Sequence, residues 1–312
     1  MTRIWFNEVV TRDGFQNEPA FVETDEKVAL IDALSACGYA KIEVTSFTSA
    51  KAIPMLRDAE AVMARIRRAP GVEYTVLVPN RRGAERAMEA RPDELNLVMS
   101  VSETHNHCNL RMAREASFAA LADVVRSAQS AQVPVNVSLS CVFGCPMEGE
   151  VPTAEVMRWT QAFTDLGVRG LTLCDTTGMA HPAQVTRLVE EVQRRHAHQQ
   201  LTLHFHNTRG MGLANVLAAA QAGITRFDGS LGGLGGCPYA PGATGNICSE
   251  DAIHMLDAMG YDTGVDLQRL LAVARRLPEV VGHDVPGQVA KAGLITDLHP
   301  VPPDIVDSRR SL

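Results

Sequence analysis

The chain has 312 residues, of which 46% are hydrophobic and 21% are charged, a composition typical of a soluble globular protein. Its formal net charge is −7 and it has no pronounced basic run, so electrostatics give no support to nucleic-acid binding. No stretch approaches the roughly 20 apolar residues of a membrane span, and the N-terminus lacks the features of a signal or transit peptide. The seven cysteines do not make a disulfide framework in a chain this long. We therefore expect a cytoplasmic protein without nucleic-acid or membrane partners.

Apolar, β-rich runs alternate with amphipathic helical patterns along the chain. The eight predicted strands are Ile4–Val9, Lys41–Thr45, Tyr74–Val78, Glu94–Val101, Pro134–Ser140, Gly170–Cys174, Leu201–His206 and Arg226–Gly229. The eight predicted helices are Glu26–Ala36, Asp58–Arg68, Arg82–Ala90, Ser117–Ala131, Ala154–Leu166, Pro182–His196, Met211–Ala222 and Glu250–Met259. Strict alternation implies parallel pairing, and eight such units predict a (β/α)8 TIM barrel. A doubly wound sheet would show the same alternation, and strand counting does not exclude it.

The composition contains no linker-like tract that would divide the first ~260 residues into domains. We therefore predict one catalytic barrel over residues 1–281, with extra C-terminal helices of which one follows Asp266. The C-terminal tail, residues 282–312, contains the Pro-rich stretch Pro300–Pro303 and is predicted to be partly mobile.

Polar side chains gather where the predicted strands end, which is where barrel enzymes carry their catalytic groups. They are Arg12-Asp13 after the first strand, Glu43 near the end of the second, Ser102–His107 after the fourth, Ser140-Cys141 at the end of the fifth, Cys174-Asp175-Thr176 at the end of the sixth, and His204 and His206 on the seventh. Packing requirements alone do not explain this joint pattern. The sequence therefore predicts an active site at this end of the barrel.

His204 and His206 lie two residues apart on the seventh strand, so their side chains should project from the same face, about 7 Å apart along the strand. Asp13 is the best carboxylate partner for them, although it could also form an Asx turn. Two imidazoles and one carboxylate with open positions suit a divalent cation that also holds substrate. Oxygen-rich remaining ligands would favour Mg²⁺ or Mn²⁺. Two structural or solvent-facing histidines remain the alternative.

Arg12 would lie beside this cation, where a permanent positive charge could stabilise an oxyanion in the transition state. The alternative is a plain salt bridge to Glu43 or Glu8. Glu43 could orient Arg12 or assist proton transfer, and Asp175 could do the same for a water or a histidine. Buried acids can equally do no more than cap or pair.

A glycine-rich segment, Gly232–Asn246, follows the eighth strand. So many glycines indicate a mobile segment or a close approach of backbone to ligand. A lid that closes over substrate and brings in Cys237 as an acid or base would fit both. A phosphate-binding loop is the alternative, but no Lys-Ser/Thr pair or dinucleotide fingerprint follows.

Several segments resemble the 3-hydroxy-3-methylglutaryl-CoA (HMG-CoA) lyases, namely Glu8–Glu18, His204–His206, Gly232–Asn246, Phe47–Pro54 and Ser140–Pro146. These enzymes belong to a superfamily of metal-dependent TIM-barrel lyases and Claisen-type synthases that share an Arg-Asp-Gly start. The resemblance extends from about Ile4 to Leu270. Its Gly-Gly-Cys-Pro-Tyr-Ala loop is specific to the lyase branch, and the synthases usually carry a regulatory domain for which this chain has no room.

The resemblance implies a retro-Claisen cleavage of HMG-CoA, or of a related branched 3-hydroxyacyl-CoA, to acetyl-CoA and a keto acid such as acetoacetate. The implied metal ligands are Asp13, His204, His206 and Asn246. The implied catalytic residues are Arg12, Asp13, Glu43, Asp175, His204 and Cys237, and the implied substrate-binding residues are Arg12, Gln16, Asn17 and Thr176. The resemblance also implies a Mg²⁺ or Mn²⁺ cofactor, an acyl-CoA substrate, a homodimer and a role in leucine degradation.

The sequence departs from the lyase pattern after the histidine pair, where Asn207-Thr-Arg-Gly210 replaces the usual Asp-Thr-Tyr-Gly. We expect Arg209 to add a cation near the mouth of the site. The segment Val101–His107 is also unlike the best-known lyases. A substrate with a longer or more polar substituent is therefore an open alternative, as is an aldolase or condensing enzyme of the same superfamily. A metal-dependent hydrolase and a silent CoA-binding protein are more distant alternatives.

Overall fold

Eight parallel strands close into a barrel in the computed structural model, which describes residues 1–236, 242, 244–302 and 305. The strands are β1 (Trp5–Glu8), β2 (Lys41–Ser46), β3 (Glu73–Val78), β4 (Glu94–Ser100), β5 (Val135–Ser140), β6 (Gly170–Asp175), β7 (Gln200–Phe205) and β8 (Arg226–Gly229). Each strand pairs with the next, and β8 pairs with β1 to close the barrel. The prediction of a (β/α)8 barrel is confirmed, and the doubly wound sheet is excluded.

Helices surround the barrel and connect its strands. They are α1 (Thr24–Ser35), α2 (Ala59–Arg65), α3 (Arg81–Glu89), α4 (Glu103–Leu110), α5 (Arg114–Ser130), α6 (Thr153–Asp165), α7 (Pro182–Arg195), α8 (Gly212–Gln221), α9 (Ser249–Ala258), α10 (Leu267–Ala274), α11 (Leu277–Val281) and α12 (Val289–Ala292). All eight predicted helices are present, with α2 ending earlier than predicted. Within the described part of the chain, no helix has both the length and the apolarity needed to cross a membrane.

Helix α4 was not predicted, because its polar sequence offers no apolar stripe to indicate a helix. The Ser102 side chain accepts a hydrogen bond from the backbone N–H of His105 (3.1 Å) and so caps its first turn. The extra C-terminal helices that we predicted are present, although only the first of them was located, after Asp266. Three short helices, α10 to α12, occupy this region.

The apolar core lies between the strands and the helices, while the interior of the barrel is polar. Strand residues such as Ile42 and Leu97 are fully buried and alternate with inward-facing polar ones. The inward-facing residues are Asn7, Lys41, Glu43, Thr75, Glu94, Asn96, Asn136, Thr172, Thr202 and Asp228. Hydrogen-bonded side chains in the barrel interior therefore lie beneath the residues at the carboxyl ends of the strands.

Two groups of contacts hold this interior together. The Asn96 amide donates to the Glu43 carboxylate (2.7 Å) and accepts from the Asn136 amide (2.9 Å). At the other end of the strands, the buried Glu94 carboxylate pairs with both Lys41 and Arg169. Every charged group among these has a partner, which buried charges require.

The chain after α11 folds back onto α9 and the base of the glycine-rich loop. The Gly287 N–H donates to the Gly232 carbonyl (3.1 Å), and the Asp251 carboxylate accepts from the N–H groups of Gln288 (3.0 Å) and Val289 (2.7 Å). Residues up to α12 are thus part of the packed structure. The division of the chain into residues 1–281 and 282–312 stays a prediction.

Candidate active site

A π-helical turn, Val10–Gly14, carries Arg12 and Asp13 away from the end of β1. The Val9 carbonyl accepts hydrogen bonds from the N–H groups of Asp13 (2.7 Å) and Gly14 (3.3 Å). Turns of this kind are frequent at functional sites. A Cβ at Gly14 would lie 2.9 Å from a methyl of Val10, so this glycine provides room for close packing.

Asp13, His204 and His206 converge at the carboxyl ends of the strands, and their ligand atoms all lie within 4.8 Å of one another. The two histidine Nε2 atoms are 3.2 Å apart, and His204 Nε2 lies 3.7 Å from Asp13 Oδ2. Both imidazoles are buried. The Asp13 carboxylate is engaged by Arg12 and Asn246, so the alternative of an Asx turn is not what holds it.

Asn246 reaches this group because the end of the glycine-rich loop pairs with the end of β7. Asn246 forms an antiparallel bridge with His206, and the Ile247 N–H donates to the Phe205 carbonyl (3.0 Å). The Asn246 amide nitrogen donates to Asp13 Oδ2 (2.7 Å). Its Oδ1 is buried and has no hydrogen-bond partner among the described residues.

Asp13 and His206 have protonation states that suit a cation, whereas the carboxylates of Asp228 and Asp13 outweigh burial and raise the pKa of His204. Burial disfavours the charge of Asp13, but Arg12 and the two histidines outweigh that effect and hold its pKa at about 2. Burial, assisted by His204, lowers the pKa of His206 to about 3, so its imidazole is neutral at pH 7. An ionised carboxylate beside a neutral imidazole is a donor set that a divalent ion fits, and the neighbouring Asn246 offers a buried amide oxygen without a hydrogen-bond partner among the described residues.

Arg12 lies against two carboxylates and lines the same cleft. Its Nη1 donates to Asp13 Oδ1 (2.5 Å), and its Nε donates to the Glu43 carboxylate. Burial works against the charge, but Asp13 and Glu43 outweigh it and raise the pKa of Arg12 further. Burial also raises the pKa of Glu43, which Arg12 only partly opposes. The salt bridge to Glu43, which was one of the two alternatives for Arg12, is thus present, and Glu43 orients the guanidinium.

Asp175 ends β6 and is almost completely buried. Its Oδ1 accepts from the N–H groups of Met179 (2.7 Å) and Ala180 (3.0 Å), while its Oδ2 has no partner within the described residues. Burial raises the pKa of Asp175 to about 7. The neighbouring Thr176 hydroxyl accepts from the Cys141 N–H (3.0 Å). Asp175 therefore has a free carboxylate oxygen and a near-neutral pKa close to the histidine pair.

A cleft of about 710 Å³ opens over these residues. Its walls include Arg12, Asp13, Gln16, Asn17, Thr176, His204 and His206. Glu43, Asp175 and Asn246 lie behind the described residues that line it. The volume falls within the range of typical ligand sites, about 300–1,000 Å³.

The Asn17 amide donates to the Gly236 carbonyl (2.5 Å), which ties the mouth of the cleft to the glycine-rich loop. The predicted lid cysteine, Cys237, lies outside the described residues. The ends of the loop that are described are packed tightly rather than loosely. A Cβ at Gly245 would lie 2.0 Å from the Gly233 carbonyl oxygen.

Glu8 anchors both the π-helical turn and the start of the loop. Its Oε1 accepts from the N–H groups of Val10 and Leu231, both at 2.9 Å, and its Oε2 accepts from the Ser249 hydroxyl (2.8 Å). Complete burial raises the pKa of Glu8 to about 7, despite these hydrogen bonds. One carboxylate thus fixes the turn that carries Arg12 relative to the loop.

Replacing Glu8 with glutamine should stabilise the protein at high pH. Between pH 4.5 and about 7 the folded protein retains a Glu8 proton that the unfolded chain has lost, so stability falls as the pH rises. The shift in pKa corresponds to at most about 3.5 kcal/mol of stability, at about 1.4 kcal/mol per pKa unit. In the variant, Oε1 can still accept both N–H groups. Urea denaturation should show similar stability at pH 4.5 and a more stable variant at pH 8.5.

Glu85, which is exposed on α3, provides the control for this measurement. Glu85→Gln should leave the pH dependence of unfolding unchanged. A Glu8→Gln protein that is destabilised equally at both pH values would contradict the prediction, because the charge itself would then be required for the anchoring hydrogen bonds.

The two residues that depart from the lyase pattern after β7 have structural contacts. The Asn207 side chain accepts from the Gly212 N–H (3.0 Å) at the start of α8. The Arg209 guanidinium donates to the carbonyls of Thr177 (3.0 Å) and Gly178 (2.9 Å) in the loop after β6. Arg209 is not among the described residues that line the cleft, but its charge acts on Asp175 and partly opposes the rise in the pKa of that carboxyl. The expectation that Arg209 adds a cation near the mouth stays a prediction.

Sequence reasoning missed two residues that support the site from inside the barrel. Asn96 holds Glu43, and the Asp228 carboxylate lies 3.3 Å from His204 Nδ1. Both lie in short alternating strands, Glu94-Leu-Asn-Leu and Arg226-Phe-Asp-Gly, where the alternation of apolar and polar residues could have indicated inward-facing polar groups.

The fold and the site define a TIM-barrel enzyme with a candidate divalent-metal centre beside an arginine. Comparison with known proteins agrees with this class. The family model described as HMGL-like matches residues 3–277. The hydroxymethylglutaryl-CoA lyase YngG of Bacillus subtilis is 46% identical over 286 residues, which is 92% of this chain and 96% of that protein. The human mitochondrial hydroxymethylglutaryl-CoA lyase is 38% identical over 290 residues, 93% of this chain and 89% of that protein.

Solved structures give the same result. An HMG-CoA lyase from Acinetobacter baumannii, in complex with coenzyme A and 3-methylmalate, superposes with a TM-score of 0.93 at 50% identity, covering 96% of this chain and 98% of that chain. The chain belongs to the HMGL-like family. A carboxyl transferase domain of Rhizobium etli pyruvate carboxylase, at 16% identity and a TM-score of 0.70, shares the fold alone.

Proposed function

We propose that this protein is a lyase that cleaves HMG-CoA to acetyl-CoA and acetoacetate and requires Mg²⁺ or Mn²⁺. The single observation that carries the proposal is the convergence of Asp13, His204 and His206 beside Arg12 in one cleft. The relatives support the reaction, because the chain matches two proteins named hydroxymethylglutaryl-CoA lyase over most of their length. The coenzyme A and 3-methylmalate bound to the A. baumannii lyase support an acyl-CoA substrate that bears a hydroxyl and a carboxylate.

Asp13, His204 and His206 would hold the divalent ion, with the Asn246 amide oxygen as a fourth ligand. Such an ion lowers the pKa of a hydroxyl bound to it and polarises neighbouring oxygens. The amide of Asn246 would present its oxygen to the ion, and its nitrogen can keep its hydrogen bond to the Leu234 carbonyl (2.9 Å).

Arg12 supplies the electrostatic stabilisation. When the carbon–carbon bond breaks, its electron pair passes into the thioester and the charge collects on the thioester oxygen. The guanidinium, held by Glu43 and Asp13, donates hydrogen bonds to that oxygen from a fixed position. A preorganised donor of this kind acts on the transition state because it needs no rearrangement when the charge develops.

Two proton transfers complete the reaction. Asp175 lies behind the cleft lining with an unpartnered oxygen and a pKa of about 7, so it receives the proton of the substrate hydroxyl through a water or His204 as the C3 carbon becomes the ketone of acetoacetate. Cys237, carried by the glycine-rich loop, donates a proton to the carbon of the acetyl-CoA enolate. Gln16 and Thr176 contact the acyl part in the cleft, and Asn17 holds the loop at its mouth.

The test is an assay of the purified full-length protein with HMG-CoA, with acetyl-CoA and acetoacetate measured separately. Equal release of both products, lost after EDTA treatment and restored by Mg²⁺ or Mn²⁺, is the expected result. Activity that survives complete metal removal would contradict the proposal. Branched 3-hydroxyacyl-CoAs with longer or more polar substituents, assayed beside HMG-CoA, test the identity of the substrate.

Replacing Gly235 with alanine should damage the site while leaving the fold intact. Gly235 has φ +96, and a Cβ there would lie 2.6 Å from the Asp13 carbonyl oxygen and 2.7 Å from the Asn246 amide nitrogen. The backbone of Asp13 and the side chain of Asn246 must therefore shift, and both residues belong to the candidate metal centre. Because displacement by ~1 Å can cost about 10²-fold in rate, we expect a loss of that order in kcat/KM for HMG-CoA.

Gly210 provides the matched control, because it also has a positive φ (+70) but a Cβ there would meet no other described atom within 4 Å. Gly210→Ala should show only the strain of the left-handed conformation, about 1–2 kcal/mol, measured as a lower Tm. Similar losses of activity in both variants would mean that backbone strain, and not contact with Asp13 and Asn246, is responsible.

We further propose that the protein is a cytoplasmic homodimer that acts in leucine degradation, as the family resemblance implies. Light scattering coupled to size-exclusion chromatography of the full-length protein tests the dimer. A single species with the mass of one 33.7 kDa chain would contradict it.

A further inference from the structure

Asp228 is a second carboxylate next to the histidine pair, on the strand that closes the barrel. It is the Cα partner of His204 on β7 and of Asn7 on β1. Because the register of three adjacent strands fixes this arrangement, the three side chains lie at the same level of the barrel interior. The geometry is therefore set by backbone pairing and does not depend on a loop.

The two carboxylate oxygens of Asp228 contact different residues. Its Oδ2 lies 3.3 Å from His204 Nδ1, and its Oδ1 accepts a hydrogen bond from the Asn7 amide (2.8 Å). On the other side of the same imidazole, His204 Nε2 faces His206 Nε2 at 3.2 Å and Asp13 Oδ2 at 3.7 Å. The Asp228 side chain is only 14% exposed, so water competes little for its oxygens.

We infer that Asp228 is the positioning residue of the candidate metal centre. By accepting a hydrogen bond from His204 Nδ1–H, it fixes the tautomer in which the Nε2 lone pair faces Asp13 and His206. Asn7 fixes Asp228 in turn. The inference rests on the proposed metal dependence and adds to it the group that orients one of the ligands.

The two histidines differ in this respect. His206 Nδ1 is buried and has no hydrogen-bond partner among the described residues, whereas His204 Nδ1 faces a carboxylate. A carboxylate behind a ligating imidazole orients the ring and makes its other nitrogen a stronger donor to a metal. His204 is thus the preorganised ligand. A substitution of its carboxylate partner, Asp228, leaves all four proposed ligands in place and should still weaken metal binding.

The experiment measures Mn²⁺ binding to the metal-free full-length protein by electron paramagnetic resonance titration. Asp228→Asn preserves the shape of the side chain but replaces one oxygen with an N–H donor and removes the charge. We expect the Kd for Mn²⁺ to rise by about 10- to 100-fold, the range found for such supporting groups. The Tm of the metal-free protein should change little, because the Asn7 contact can be retained.

Thr202→Val is the matched control, since Thr202 faces the same polar interior two residues before His204 on β7. Its Kd for Mn²⁺ should equal that of the wild-type protein. If Asp228→Asn lowers the Tm of the metal-free protein but binds Mn²⁺ with unchanged Kd, Asp228 only closes the barrel and the inference is overturned.

The same titration distinguishes failure of the inference from failure of the proposed metal dependence. In that case the wild-type protein itself would not bind Mn²⁺, and the inference would fall with it. Tight wild-type binding combined with equally tight binding by Asp228→Asn would overturn the inference alone. Tight wild-type binding that weakens in Asp228→Asn and not in Thr202→Val supports both.

Discussion

Replacing Arg12 with glutamine is expected to lower kcat for HMG-CoA cleavage by at least about 10²- to 10³-fold, the cost of removing one preorganised oxyanion donor. The guanidinium is held by Asp13 and Glu43, so its position is set before substrate arrives. Glutamine cannot donate from the same place and carries no charge. Because the lost interaction forms mainly in the transition state, KM should change much less than kcat. Steady-state kinetics at saturating Mn²⁺ would measure both.

Arg12→Lys separates charge from geometry. Lysine retains the positive charge but cannot reproduce the planar fork that contacts two carboxylates, so its activity should lie between those of wild type and Arg12→Gln. Arg126→Gln, at an exposed position on α5, is the control and should be fully active. If the Arg12 variants lose activity only in proportion to lost folded protein, measured by thermal unfolding, Arg12 is structural and the proposed role is wrong.

Replacing His206 with alanine is expected to raise the Kd for Mn²⁺ by more than about 100-fold, beyond the range found for residues that only support a ligand. His206 Nε2 is one of three ligand atoms that lie within 4.8 Å of one another, and its low pKa keeps the imidazole neutral and available. Activity at micromolar Mn²⁺ should disappear and should partly return at millimolar Mn²⁺. Mn²⁺ titrations followed by resonance spectroscopy and by turnover should agree.

His198, exposed in the loop between α7 and β7, is the control for this substitution. His198→Ala should bind Mn²⁺ and turn over substrate as the wild-type protein does. Unchanged Mn²⁺ affinity in His206→Ala would show that the histidine pair is not part of the metal centre, even if activity were lost.

The barrel could be predicted from the sequence because its signal is repeated eight times. Each short apolar run is followed by a longer helical pattern, and a one-residue error at a strand end does not change the topology. The arrangement of Asp13, His204 and His206 follows from the same rule, since parallel strands bring their carboxyl ends to one edge. Closure in chain order brings β1 beside β8 and β8 beside β7, so that two distant stretches of sequence meet in one site.

The parts that could not be predicted depend on tertiary contacts. Helix α4 is polar, and its Ser102 cap is a weak signal without an apolar stripe. The hydrogen bond from Arg209 to a loop carbonyl could not be predicted, because the sequence does not distinguish an exposed arginine from one that binds a carbonyl. Asp228 and Asn96 acquire their roles only through strands distant in the chain.

The hydrogen-bonded interior of the barrel also constrains how the strands align during folding. Sliding one strand by two residues would preserve the alternation of apolar and polar faces, so hydrophobic contacts alone would hardly distinguish the slipped form. Such a slip would separate Lys41 from Glu94, and each broken buried ion pair costs about 3–5 kcal/mol. The polar lining thus selects one register of the strands. A variant with an aliphatic barrel interior could be more stable but would no longer favour a single strand register.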